Sequence, residues 1–333
     1  MYYNSYFDDP HYEFGLGREP FVRSGCPIDT CEVVQDAPHG EVDAVIFHLW
    51  NLGRGEARLK ALEAQRRPHQ RYVFFLMEAP GVYLSDLRQF RDFFNWTMSY
   101  RADSDVFRPY GELEPLAGGS RRLDAPWELP GNSTAGPAPA GKTGLVAWLV
   151  SKCRTPSQRE VYARELAKHV QVDVYGRCGP LSCAGRMSEE CYEMLDRKYK
   201  FYLSFENSLC RDYVTEKLFR VLRHRVVPVV YGGADYSRFA PPGSYIDVRD
   251  FASPRDLAER LKSLAASPRE YERFFRWKQR YRVSVTPMPR AMCRLCAMLH
   301  DPALPPKSYG DLQEWYSGAG VCHAASAHWR GSS

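Results

Sequence analysis

The regular alternation of short apolar runs with stretches of helical period is the strongest constraint on what this chain can fold into. GLVAWLVS (144–151), VDVYG (172–176) and YKFYLSF (199–205), followed by VVPVVYGG and SYIDV, read as strands. Between them, Thr155 and Pro156 give an N-cap and first-turn signal for a helix through about His169. From about Tyr213, Val214, Leu218, Val221 and Leu222 fall at i, i+4, i+7 and i+8, one buried helix face. Two more helices are expected at about 255–266 and 269–280. Strands that alternate with helices pack as a parallel, doubly wound sheet.

The first half repeats the pattern with AVIFHL (44–49), the helical GEARLKALEAQRR (55–67) and RYVFFLM (71–77). A chain of 333 residues exceeds the size at which one core keeps growing, so two such domains are expected. Residues 114–143 are rich in Gly, Pro, Ala and Ser and cannot support a core; they read as a linker or mobile loop.

Ten cysteines group as Cys26 and Cys31, then Cys178, Cys183 and Cys191, then Cys293 and Cys296, with Cys153, Cys210 and Cys322 apart. An even count with two separated close pairs favours disulfides in an oxidising compartment. The sequons at Asn95 and Asn132 point the same way. Zinc would need two CxxC pairs, and Cys293 to Cys296 alone has that spacing. Net charge is a mild +5, with no basic block or basic helix, which argues against nucleic acid. No run approaches the roughly 20 apolar residues of a membrane span, and no signal peptide precedes Met1. A secretory-pathway reading therefore expects the start at Met1 to be a truncation.

GxGxxG opening a helix, GxxxxGK[ST], HExxH and GxSxG are all missing, which removes the usual anchors of dehydrogenases, P-loop ATPases, zinc proteases and serine hydrolases. Instead, the apolar run ending at Phe205 breaks into Glu206, Asn207, Arg211, Asp212, Glu216 and Lys217 before helical period resumes. In open α/β sheets ligands bind beyond the carboxyl ends of strands, so this junction suits a diphosphate, with Lys217 as cation and Glu216 for ribose hydroxyls. Asp212 as N-cap of a solvated first turn is the competing account. Arg159 follows the strand VAWLVS and can bind phosphate by its fork, or pair at the surface with Glu160 or Asp173. Glu78, after the strand FFLM and before Ala79-Pro80, is placed as a general base or as a solvated carboxylate. Asp103-Ser104-Asp105 has the DxD form of a metal–diphosphate site, but lies far along the chain from the nucleotide junction, and no metal is assigned.

Taken together, the run FYLSFENSLCRDYVTEKLFRVLRHRVVPVVYGG resembles the signature of the α1,3-fucosyltransferases of glycosyltransferase family 10. The resemblance extends to NWTMSYRADSDVFRPYG, to FLMEAP (where Ala79 stands in place of the family's usual Ser) and to the C-terminal CRLC. It covers nearly the whole chain, from YFDDPHYEFGLGREPF to WYSGAGVC, and the cluster Cys178, Cys183, Cys191 with Cys322 is similar to the invertebrate and plant branch.

The resemblance implies a GT-B fold, two Rossmann-like domains facing a cleft. Residues 1–143 would bind acceptor, 144–290 GDP-fucose, and 291–333 would return to the N-terminal domain. It implies inverting transfer of fucose to the 3-hydroxyl of GlcNAc in a glycoprotein glycan, either the N-glycan core or a LacNAc or LacdiNAc antenna. No metal is essential, although a divalent cation could stimulate. By position, Glu78 would be the base; Arg159 and Lys217 would hold the diphosphate and Glu216 the ribose, while Glu206, Asn207 and Tyr213 would line the donor pocket. Cys26 and Cys31 would pair with Cys293 and Cys296, in an order left open. The family works in the Golgi lumen behind an N-terminal anchor and stem that this sequence does not carry. A non-catalytic glycan- or nucleotide-sugar-binding relative is the alternative; the charges at Glu78, Arg159, Glu216 and Lys217 weigh against it.

Overall fold

AVIFH and RYVFFL are apolar along their whole length, as strands covered on both faces must be. They lie inside a five-stranded parallel sheet of order β1-β2-β3-β4-β5. The computed structural model describes residues 1–4, 14–35, 41–52, 56–82, 86–118, 121–129, 141–183, 188–285 and 287–325. The chain divides into two units, Met1–Pro109 with Thr286–Val321, and Tyr110–Val285 with Cys322–Ser333.

The first unit begins with β1 (Tyr2–Asn4), α1 (Glu19–Arg23), β2 (Ala44–His48), α2 (Leu49–Leu52) and α3 (Glu56–Gln65). It continues with β3 (Arg71–Leu76), β4 (Trp96–Ser99) and β5 (Val106–Phe107). Tyr72 to Leu76 are fully buried, so β3 is the centre of this sheet.

The second unit runs through β6 (Glu112–Pro115), β7 (Gly144–Leu149), α4 (Arg159–Ala167), β8 (Val172–Tyr175), α5 (Glu189–Lys198) and β9 (Tyr199–Phe205). Then come β10 (Leu209–Cys210), α6 (Glu216–Leu222), β11 (Val227–Tyr231), β12 (Ile246–Asp247), α7 (Pro254–Ala266), α8 (Pro268–Arg273) and β13 (Tyr281–Ser284). Its main sheet has the order β12-β11-β9-β7-β8, all parallel. Tyr162 and Leu166 of α4 and Leu257 and Leu261 of α7 share one core layer with Phe201 and Val229. Tyr192 and Leu195 of α5 and Val221 of α6 share the other with Ala147 and Tyr202. Helices on both faces make the sheet doubly wound.

The chain leaves the first unit after Pro109, ahead of the Gly- and Pro-rich stretch rather than within it. The reason is a long-range pairing: β6, at the start of that stretch, is the antiparallel partner of β13, Glu112 opposite Ser284 and Pro115 opposite Tyr281. Composition sees the glycines and prolines but not the distant strand.

The chain then returns to the first unit as α9 (Met288–Leu299) and α10 (Leu312–Ser317). Leu312 and Tyr316 enter the core of β2 and β3, where the Tyr316 ring lies 5.9 Å from Phe74. The last element, β14 (Cys322–His323), pairs antiparallel with β10 in the second unit. Among the described residues all ten cysteines are joined: Cys26–Cys293, Cys31–Cys296, Cys153–Cys178, Cys183–Cys191 and Cys210–Cys322.

Replacing Cys26 and Cys293 together by Ser removes a cross-link spanning 267 residues and is expected to lower stability by about 3 kcal/mol. Urea unfolding of the oxidised protein measures it; an unchanged midpoint would show that the neighbouring Cys31–Cys296 bond alone suffices to hold α9.

Candidate active site

In the second unit β7 has β8 on one side and β9 on the other, so strand order reverses between β7 and β9. This is the flavodoxin-like order 2-1-3-4-5, in which ligands sit at the carboxyl ends of the reversing strands. The polar run after Phe205 and the start of α4 both lie at those ends.

The two loops are tied to each other. Ser157 donates from its amide to the Asn207 carbonyl (3.0 Å) and from its hydroxyl to the Glu206 carbonyl (2.7 Å). Those bonds explain why α4 starts at Arg159 and not at the Thr155-Pro156 signal: residues 155–158 form a turn, with Gln158 at φ 51° and its amide bonded to the Thr155 carbonyl. Arg159 is buried rather than a surface residue, and its Nη1 donates to the Phe205 carbonyl at 2.5 Å. Burial lowers its pKa and the nearby Glu206 raises it; the guanidinium stays charged.

Glu206 is 1% exposed. Its carboxylate accepts from the Thr215 amide (2.8 Å) and the Thr215 hydroxyl (2.9 and 3.0 Å), and Lys217 Nζ stands 3.3 Å away. Lys217 also reaches Thr215 Oγ1 at 2.7 Å and Glu216 Oε1 at 3.1 Å. Burial raises the Glu206 pKa, opposed by Lys217. For Glu216 burial acts upward too, but the charge and hydrogen bond of Lys217 win and hold the carboxyl below its ordinary value. Burial pulls Lys217 down, yet Glu206 and Glu216 together raise it, so the ammonium is secured between two carboxylates.

Helix α6 begins at Glu216, not near Asp212. Asp212 sits in the left-handed region at φ 59° and binds Arg238 at 2.8 Å, and Arg238 binds Asp124 at 2.8 Å. Asp212 therefore turns the loop instead of capping the helix, and Thr215 takes the cap position in extended conformation. Tyr213 is buried, edge-on to Tyr110 at 6.1 Å. Gly232 and Gly233 end β11 where a Cβ would meet Tyr236 Oη at 2.3 Å and the Leu209 backbone at 2.4 Å, so only glycine lets β10 lie this close.

Four buried polar atoms in this loop cluster have no hydrogen-bond partner among the described residues: Arg159 Nε, Asn207 Oδ1, Ser208 Oγ and Tyr236 Oη. Buried polar groups are normally bonded, because an unpaired one costs about 1–3 kcal/mol. A cationic N–H, an amide oxygen and two hydroxyls suit an anionic, hydroxyl-rich ligand. Arg159, Glu206, Asn207, Glu216 and Lys217 are thus brought together here, with Tyr213 adjoining. Sequence reasoning passes over Ser157, Ser208, Thr215 and Tyr236, whose placement rests on pairings between distant loops. The Gly232-Gly233 pair closing the VVPVVY run is the available signal.

In the first unit Glu78 lies just past the end of β3, half-buried, and its carbonyl accepts from Tyr316 Oη at 2.5 Å. The DxD carboxylates are engaged within this unit. Asp103 pairs with buried Arg101 at 2.7 Å. Asp105 takes Lys307 at 2.6 Å, Tyr309 Oη at 2.8 Å and the Thr97 amide at 2.9 Å. They brace separate segments rather than converging on a cation. Cys31 and Cys296 come within 3.8 and 3.9 Å of His300, but their sulfurs are bonded to each other and offer no thiolate to zinc. The Asn95 amide is used inside the fold: Oδ1 accepts from the Tyr72 amide and Arg66, and Nδ2 donates to the Lys307 carbonyl at 2.9 Å. A glycan on Nδ2 would share that nitrogen with Lys307. Asn132 lies outside the described residues.

Two family models match, the N-terminal fucosyltransferase model over residues 1–111 and the C-terminal model of glycosyltransferase family 10 (fucosyltransferase) over 139–315. The chain belongs to glycosyltransferase family 10, the fucosyltransferases. It is 45% identical to alpha-(1,3)-fucosyltransferase C of Drosophila melanogaster over 304 residues, covering 87% of this chain and 70% of that protein. Glycoprotein 3-alpha-L-fucosyltransferase A of the same organism is 35% identical, covering 94% of this chain and 59% of that one. Alpha-(1,3)-fucosyltransferase 4 of Homo sapiens is 37% identical, with 89% and 60% covered. The chain thus spans about three fifths of the latter two. A crystal structure of an alpha1,3-fucosyltransferase with GDP-fucose superposes with a TM-score of 0.55 at 16% identity, over 91% of this chain and 90% of that one. At that identity the likeness speaks for the fold: two α/β units as expected of a GT-B enzyme.

His48, buried at the end of β2 and edge-on to Phe75 at 5.2 Å, has its pKa lowered to about 4, first by burial and then by Arg108. A depressed histidine favours the fold above its unfolded value near 6.5 and loses that contribution as pH falls toward 4, about 3 kcal/mol in all. His48→Gln is expected to flatten the stability–pH curve between 6.5 and 4 by that amount. Equal slopes in parent and variant would refute the assignment.

Proposed function

We propose that this chain transfers fucose from GDP-fucose, with inversion, to the 3-hydroxyl of a GlcNAc residue in a glycoprotein glycan. The cluster at the β7/β9 reversal carries the reading: buried Arg159 and partly buried Lys217, beside buried polar atoms that lack partners among the described residues, in a chain of the fucosyltransferase family.

Inversion needs a base on one face of the donor sugar and a stabilised leaving group on the other. Glu78 takes the proton from the acceptor hydroxyl as the new oxygen–C1 bond forms and the C1–phosphate oxygen bond breaks. The negative charge released on GDP is met by Lys217 and Arg159. Lys217 is held by Glu206, Glu216 and Thr215 in the structure, so donor binding exchanges one of these bonds for a diphosphate oxygen, freeing Glu216 to accept from ribose. Asn207 and Tyr213 line the same pocket. Asp103 and Asp105 are held by Arg101 and Lys307, which supports chemistry without an essential metal, a divalent cation being at most stimulatory.

Disulfide pairing of all ten cysteines among the described residues fits an oxidising compartment, and with the relatives supports a Golgi-lumenal enzyme that acts on N-glycan core or antenna. No helix among the described residues is long and apolar enough to cross a membrane.

Glu78→Gln is expected to bind GDP-fucose with parent affinity and to lose transfer by about 100-fold or more. Transfer at the parent rate would remove Glu78 as base. Mass spectrometry of products from core and antenna acceptors identifies the acceptor; donor binding without any product would instead mark a non-catalytic relative. Activity is expected to persist in chelator, and its complete loss there would contradict the metal-free reading.

A further inference from the structure

We propose that Tyr316 is a positioning residue for Glu78, and that Asp103 and Arg101 serve the same end by seating the helix that carries Tyr316. The proposal rests on Glu78 being the base.

Glu78 is the second residue after β3, and its side-chain direction is set by the backbone of the Met77–Pro80 shelf. The Tyr316 hydroxyl donates to the Glu78 carbonyl at 2.5 Å, fixing the plane of the peptide that joins Glu78 to Ala79. Pro80 restricts the Ala79 backbone, and the Val82 amide closes the turn onto the Ala79 carbonyl at 2.9 Å. Ala79, fully buried, brings no polar side chain to this shelf. The Tyr316 ring is itself 1% exposed and packs on Phe74 of β3, so the hydroxyl is delivered from a rigid base.

Leu87 and Arg101 also hold helix α10 on this unit. Gln313 Oε1 accepts from the Leu87 amide at 2.7 Å. Arg101 donates to the Trp315 carbonyl, and its guanidinium lies 4.4 Å from the centre of the Trp315 ring. Asp103 locks that guanidinium with a two-pronged pair, 2.9 Å to Nε and 2.7 Å to Nη2. The first carboxylate of the DxD triplet thus leads, through Arg101, Trp315 and Tyr316, to the shelf beneath Glu78. It acts by orientation and touches no donor phosphate in this scheme.

The test is a double-mutant cycle on the full chain. Tyr316→Phe keeps the ring and removes the hydroxyl; it is expected to lower kcat about tenfold while the KM for GDP-fucose stays within about twofold. In a Glu78→Gln background the same change is expected to cost nothing further, because its effect passes through the base. A purely structural role would lower thermal stability and leave kcat of the folded protein unmoved. An unchanged kcat, or an equal loss in both backgrounds, overturns the proposal while leaving Glu78 as base. Parent activity in Glu78→Gln alone removes the base reading and the proposal with it. Should Tyr316→Phe fail to fold, judged by circular dichroism and GDP binding, Arg101→Lys, which keeps the charge but loses the fork, is carried through the same cycle with the same criteria.

Discussion

A carboxylate buried to 1% exposure persists as an anion only where donors surround it, and Glu206 obtains those donors from Thr215 and Lys217. Most of the second unit's site follows from that requirement. Thr215 must turn inward to reach Glu206, so it leaves the helix to begin at Glu216. Lys217 must point back along α6, which sets its ammonium beside Glu216. The Glu206 carbonyl in turn receives the Ser157 hydroxyl, and with it the loop that carries Arg159. Through its carboxylate and its carbonyl, one buried residue thus ties together the start of α6, with Glu216 and Lys217, and the start of α4, with Arg159. Replacing it by an apolar residue would leave Lys217 with one carboxylate partner and Thr215 with none of these bonds.

The first unit depends on a different economy. On one face of its parallel sheet Phe47, Tyr72 and Phe74 meet Phe93 and Phe94 in edge-to-face pairs, and the returning segment of the chain adds Tyr309, Leu312 and Tyr316 to the same core. Edge-to-face contacts fix ring directions as well as burying area. That directional packing is what lets a hydroxyl at residue 316 meet a carbonyl at residue 78.

The sequence made the strands legible because buried parallel strands are continuous apolar runs: AVIFH, RYVFFL, YKFYLSF and VPVVY all coincide with strands to within about two residues. Onsets of helices were less legible. Pro156 and Asp212 carry strong local signals, but the bonds of Ser157 to the β9 loop and of Asp212 to Arg238 outweigh them, and neither partner is near in sequence. The place where the chain changes unit was hidden for the same reason, since β6 finds β13 some 168 residues on, as between Glu114 and Arg282. Among the donor-site candidates, charge and spacing indicated Glu216 and Lys217; that Glu206 is the organising group, and Arg159 a buried one, emerges only from three dimensions.

The disulfide from Cys210 to Cys322 bears on how such a protein comes into being. Cys210 stands two residues before Asp212, where the loop after β9 turns, and its partner follows 112 residues later. At ordinary translation speeds of about 5–20 residues per second, that is roughly ten seconds of synthesis. Throughout that interval the loop has neither its covalent tie nor the β10–β14 pairing, while the Cys210 thiol is free to join Cys178, Cys183 or Cys191, all made earlier. Correct assembly of the loop after β9 therefore waits on a cysteine made 112 residues later, and thiol exchange among the earlier cysteines becomes part of building that loop.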